Sequence, residues 1–181
     1  MNGRTYGFAL ACGVVVLLGL AGPAGAVDVT QKGHDAMNHS AFLYGTNWSD
    51  GALPAAANDY ISTFNLRTPP GLTSYVFGGR SLRLDPGGQF LFKGSNTITV
   101  GMLLLNGGAV WQGSAGGTPD IARLAGTITV QAPSRIGTDG TGRTLQIRSS
   151  ITGDQELVFY SSFTSGRSEE HTSELQSRQS I

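Results

Sequence analysis

Few residues in this chain combine the types and spacing that chemistry needs. His34, Asp35 and His39 form the one local cluster of metal-type side chains. Their spacing puts no set of three on one face of a regular element, as a metal site requires, and the stretch reads as a surface loop. Asp50, Asp85, Asp120, Asp139 and Asp154 each adjoin glycine or proline, where aspartate steadies turns by bonding nearby backbone. Gly137-Thr138-Asp139-Gly140-Thr141-Gly142 has the style of a calcium-binding glycine–aspartate repeat, but in one unrepeated copy. There is no lysine-bearing phosphate loop and no Gly-x-Ser-x-Gly nucleophile turn. No catalytic residue, cofactor or metal site is therefore expected. The side chains left with a binding chemistry are Trp48 and Trp111, whose flat rings suit the apolar faces of sugars. Trp48 has a second reading, as a ring that covers an open end of the fold.

Charge narrows the partners further. Lys plus Arg and Asp plus Glu number 12 each, a formal net charge of zero, and only 13% of residues are charged. Neither a nucleic-acid footprint nor a funnel for acidic substrates follows from such a balance. The single cysteine, Cys12, lies within an amino-terminal apolar run, so no disulfide or thiolate metal site is expected beyond it.

The two ends of the chain differ from its middle. Arg4, the apolar run Phe8 to Leu20 and the small residues Ala24-Gly25-Ala26 have the layout of a Sec-type signal peptide cleaved after Ala26. The run is short of the roughly 18 residues that a membrane span needs, so the expected destination is secretion or the cell surface. At the other end, Arg167 to Ser177 resembles the translation of a short-read sequencing adapter. Composition shifts at that seam: Glu169, Glu170 and Glu174 follow it, only Glu156 precedes it, and all 27 glycines precede it. The expected organisation is a signal peptide at 1–26, a loop and cap at 27–58, regular structure at 59–166, and a non-native tail at 167–181. The regular part would then be truncated, with any anchor or catalytic region lying beyond it.

Between the ends, short β-branched and aromatic runs recur, with turn residues between them. Tyr60–Phe64, Tyr75–Phe77, Ser81–Leu84, Gln89–Phe92 and Thr97–Val100 are the first five. Ala109–Trp111, Thr127–Val130, Thr144–Ile147 and Leu157–Tyr160 continue the series. Many alternate apolar with polar residues, as half-buried strands do. Gly78-Gly79, Asp85-Pro86-Gly87-Gly88, Asn106-Gly107-Gly108, Gly116-Gly117 and Asp139-Gly140 supply the turns. No helical period appears after the leader, so the fold class is all-β. A β-sandwich is the alternative to a solenoid, and spacing favours the solenoid. Ile61, Leu82, Leu103, Leu124 and Leu145 fall at a constant interval of 21 residues, with Thr63, Leu84, Leu105, Gly126 and Ile147 two places on. That interval suits one coil of a right-handed parallel β-helix.

Asn47-Trp48-Ser49-Asp50-Gly51-Ala52-Leu53-Pro54, followed by Asn58-Asp59-Tyr60-Ile61, resembles the opening of bacterial autotransporter-associated β-strand repeat proteins. Phe77 to Leu84, Leu103 to Gly108, Leu124 to Val130 and Ile151-Thr152-Gly153 resemble their coils, so the likeness spans roughly Asn47 to Glu156. It implies a passenger-type β-helix, secreted or displayed at the cell surface, with outer-membrane attachment through a carboxy-terminal region.

Two classes of function follow. One is a non-catalytic passenger or scaffold, adhesive toward surface glycans or extracellular matrix and without nucleic-acid partners. The other is the amino-terminal part of a polysaccharide lyase or hydrolase, or a carbohydrate-binding module. A lyase needs clustered acids beside a base; Arg135, Arg143 and Arg148 are available, but the aspartates sit singly at turns. The scaffold reading is favoured, without enzymatic activity.

Overall fold

A computed structural model of the chain describes residues 25–70, 74–113, 120–139 and 142–161. The expected leader, except its last two residues, and the adapter-like tail lie outside them. Alternating apolar residues and glycine-rich breaks give thirteen strands among the described residues. They are β1 (Asp28–Thr30), β2 (Asp59–Ser62), β3 (Asn65–Arg67), β4 (Tyr75–Val76), β5 (Ser81–Leu84), β6 (Gln89–Phe92) and β7 (Thr97–Asn106). After them come β8 (Ala109–Gln112), β9 (Asp120–Ala132), β10 (Ser134–Thr138), β11 (Arg143–Ile147), β12 (Ser150–Gly153) and β13 (Leu157–Ser161). Every pairing between them is parallel. The fold is a β-helix of about four turns with a spacing of about 23 residues, and the sandwich is excluded.

Each coil contributes to three ladders. The first runs β1–β2–β5, through the later halves of β7 and β9, to β12. The second is β3–β6–β8–β10–β13. The third is β4, the earlier halves of β7 and β9, and β11. Rungs in such ladders stand about 4.8 Å apart, so inward side chains meet their counterparts one coil away. Val29, Tyr60, Leu82, Leu103 and Ile128 make one such column, and Leu66, Phe90, Val110 and Ile136 another; all are buried. Burying each of these side chains removes it from water at a gain of about 1.5–3 kcal/mol. On the last rung the second column ends in Phe159, which is 45% exposed.

The 21-residue series is corrected by the register. Leu82 does pair with Leu103 and Leu84 with Leu105. Elsewhere Leu82 pairs with Tyr60, not Ile61; Leu103 pairs with Ile128; and Leu124 pairs with Ile98 below and Ile147 above. From β2 onward, coil length varies from 20 residues (Gln89↔Ala109) to 26 (Ala109↔Arg135), and the step from β1 to β2, which carries the cap, spans 31 (Asp28↔Asp59). Part of the variation is the greater length of β9 than of β7, with register shifts between the two, and part lies between the ladders, where insertion is tolerated. Between the strands of the second ladder and those of the third, the sequence leaves segments of unequal length, 68–74, 93–96, 113–119 and 139–142.

The segment expected to be loop and cap at 27–58 contributes more than that. β1 lies within it and adds a full rung to the first ladder. The chain then folds over the first coil: Asp35 N donates to Asn65 O at 2.9 Å, and Gln31 and Trp48 form an antiparallel bridge. Phe42 packs on Phe77 and Phe90, with ring centroids 5.2 and 5.5 Å away.

Candidate functional site

The two tryptophans with sugar-binding chemistry occupy opposite environments. Trp48 is 0% exposed, packs edge-on to Tyr60 at 4.7 Å and donates from Nε1 to Ala41 O at 2.8 Å. No face of it is open to a sugar, so it is a packing residue of the cap. A ring of that size is needed inside because β1 precedes the first coil only on the first ladder, and the second ladder begins at β3 with no earlier rung.

Trp111 lies on the outer surface of the second ladder. The register places Arg67, Leu91, Trp111, Gly137 and Tyr160 in one outward column. Trp111 and Tyr160 are separated by the glycine rung, and their ring centroids are 4.5 Å apart with planes at 43°. A Cβ on Gly137 would stand 2.9 Å from Trp111 Cζ3 and 3.1 Å from Tyr160 Cδ1, so only glycine lets both rings lean over that rung. Tyr160 remains 39% exposed. Burial raises its hydroxyl pKa, with Arg135 opposing the rise and Asp139 adding to it.

Cations flank the ring pair. At the corner into the third ladder, Lys93 Nζ stands 3.0 Å from where a Cβ of Gly113 would be, and Trp111 Cδ1 stands 3.9 Å from the same point. Burial lowers the Lys93 pKa, the charges of Arg67 and Arg143 lower it further, and Asp139 partly offsets them. Asp139 is itself engaged by Arg143, whose Nη1 donates to both its carbonyl and its carboxylate. On the other side, Arg135 borders a groove of about 260 Å³ walled by Gly87-Gly88, Gly107-Gly108 and Pro133. Glycine is required at one wall of this groove, where a Cβ on Gly108 would lie 2.6 Å from the Cβ of the buried Leu84. Asp85 braces the same corner, accepting from Arg83 Nε at 2.9 Å and from Asn106 Nδ2 at 2.7 Å.

The remaining sequence candidates are dispersed. His34 Nδ1 accepts from Asn65 N at 3.0 Å, and His39 stacks on Tyr44 at 3.9 Å. Asp35 is buried among donors: Ala41 N and Arg67 N at 2.8 Å, Asn47 Nδ2 at 2.7 Å and Gln31 Nε2 at 3.2 Å. Burial raises its pKa, and the bonds from Ala41, Arg67 and Asn47 and the charge of His39 oppose the rise. This carboxylate is the organising centre of the cap. Asp50 accepts from Ala52 N at 3.0 Å as a turn residue, and Asp154 accepts from Gln155 Nε2 at 2.9 Å. Arg148 donates to Gln146 Oε1 at 3.2 Å. Among the described residues, no three His, Cys, Asp or Glu side chains converge on one point; Gly140 and Thr141 of the calcium-style segment lie outside them.

Sequence reasoning singled out Trp111 but missed Tyr160, Gly137 and Lys93. Their one signal is positional, and it can be read only once the register is known. Comparison with protein-family models, with curated proteins and with solved structures found no match to this chain.

Proposed function

We propose that the chain is an extracellular, non-catalytic β-helical scaffold that binds glycans on the outer surface of its second ladder. The observation that carries this reading is the Trp111–Tyr160 pair over Gly137. Sugar rings have apolar C–H faces and polar rims, so a binding surface needs an aromatic platform with hydrogen-bonding groups around it. Here the platform is fixed to a rigid parallel ladder, which lowers the entropy lost on binding. Export is supported by the leader-like amino terminus, and a surface-displayed passenger role by the resemblance to autotransporter-associated repeats.

The test is the full chain, produced in an exporting bacterial host, applied to a glycan array and incubated with pectin, alginate and related polymers. Binding without shortening of the polymers is expected, and the exported protein should begin at Val27 by mass spectrometry. Release of oligosaccharides would overturn the non-catalytic reading. Silence across the array would overturn the glycan reading.

A further inference from the structure

We propose that the glycan taken by this surface is an acidic polysaccharide, its sugar rings on Trp111 and Tyr160 and its carboxylate or sulfate groups on Lys93, Arg143 and Arg135. The inference rests on the glycan reading above and deepens it. Its basis is the placement of charge around the aromatic pair. Lys93 and Trp111 border one point outside Gly113, and Arg143 reaches the same corner through Asp139. Arg67 begins the outward column that contains Trp111 and Tyr160. Arg135 stands at the opposite edge of the ladder, four residues before Asp139 on the same run, which is about 13 Å at strand rise. The aromatic platform therefore lies between two cationic edges, the layout that a chain of charged sugars requires.

Two further observations support a local anionic ligand. Around Lys93 stand Arg67 and Arg143 against one carboxylate, Asp139, so the corner carries more positive than negative charge and suits an anionic group. The formal net charge of the whole chain is zero, so attraction to a polyanion must come from this patch and not from a general positive field. A single-stranded nucleic acid offers rings and charge too. The charge balance favours sugars, because a nucleic-acid surface needs a broad basic stripe and this chain has a formal net charge of zero with cations only at the edges of the ring pair.

The experiment measures binding of the full chain to polygalacturonate, dextran sulfate, uncharged dextran and an oligothymidylate by titration at low and high salt. Binding to at least one charged polysaccharide, at least 10-fold tighter than to dextran and weakened by salt, is expected. Preference for polygalacturonate identifies carboxylate as the recognised group, and preference for dextran sulfate identifies sulfate. Lys93→Gln and Arg135→Gln should each lose 5-fold or more, Lys93→Arg should restore binding, and Lys32→Gln in the exposed cap should change nothing. Unfolding midpoints of all variants separate lost binding from lost fold. Equal affinity for dextran and the charged polymers would overturn this inference while leaving the glycan reading intact. Tighter binding to the oligothymidylate, or equal losses in Lys32→Gln and Lys93→Gln, would also overturn it. Failure to bind any polysaccharide, here and on the array, would remove both.

Discussion

Trp111 and Tyr160 stand two rungs apart on the second ladder, yet their ring centroids approach to 4.5 Å because Gly137 occupies the rung between them. Two rungs separate backbones by about 9.6 Å, so each ring must lean across the intervening position. Gly137→Ala would put a methyl against Trp111 Cζ3 and the Tyr160 backbone. The expected outcome is a stability loss of about 1–3 kcal/mol from overpacking, together with loss of glycan affinity. Urea denaturation and the array measure the two effects separately.

Trp48 is the second point of leverage. Trp48→Ala removes the ring that fills the first coil against Tyr60 and Phe77 and leaves Ala41 O without its donor. A loss of about 3–5 kcal/mol is expected for truncating a buried aromatic of this size. Glycan binding per folded molecule should be unchanged, and a large affinity change at equal folded fraction would contradict the division of labour between the two tryptophans.

Asp35 makes the cap sensitive to pH. Burial raises its folded pKa above the ordinary 3.8, so the folded state holds the proton more tightly than the unfolded chain does. The resulting stability is fully present below about 3.8 and is lost as pH rises through the folded value. Asp59 runs the other way: its bonds from Arg80 and Ser81 lower its pKa, so its contribution is present above 3.8 and fades as pH falls. Asp35→Asn should abolish the first slope. It should also cost about 1–3 kcal/mol at neutral pH, because an amide turns its own donors toward partners that are all donors. Thermal melts across pH 3 to 8 test both statements.

Gln112 is a stabilisable position. It is 0% exposed on the inward side of the second ladder, between Phe92 and Thr138, and neither Nε2 nor Oε1 has a partner. Unpaired buried polar atoms cost about 1–3 kcal/mol, so Gln112→Leu is expected to raise the unfolding midpoint by an amount equivalent to about 1 kcal/mol or more. A lowered midpoint would show that the amide supports the corner that follows it.

The solenoid was legible in the sequence because its strands repeat the same demand: an inward aliphatic column with glycine at the corners. β5 and β6 match the predicted strands residue for residue. Register was not legible, since a leucine series at constant interval assumes equal coils, and the corners after the second ladder differ in length. β3 and β10 went unseen for a related reason. Asn65-Leu66-Arg67 and Ser134-Arg135-Ile136-Gly137-Thr138 each carry one inward hydrophobe, and neighbouring rungs hold them in place more than their own propensity does. The same dependence hid the candidate site, because nothing in the linear order sets Tyr160 beside Trp111 or Lys93 beside Gly113.

Each rung bonds only to the rungs immediately before and after it, so a pull on the two ends of the stack loads the coils in series. A coil that yields frees about 23 residues, a slack of about 80 Å when drawn out, while the coils behind it stay closed. Under tension such a body is expected to lengthen in steps, one coil at a time, with the remaining coils holding their register.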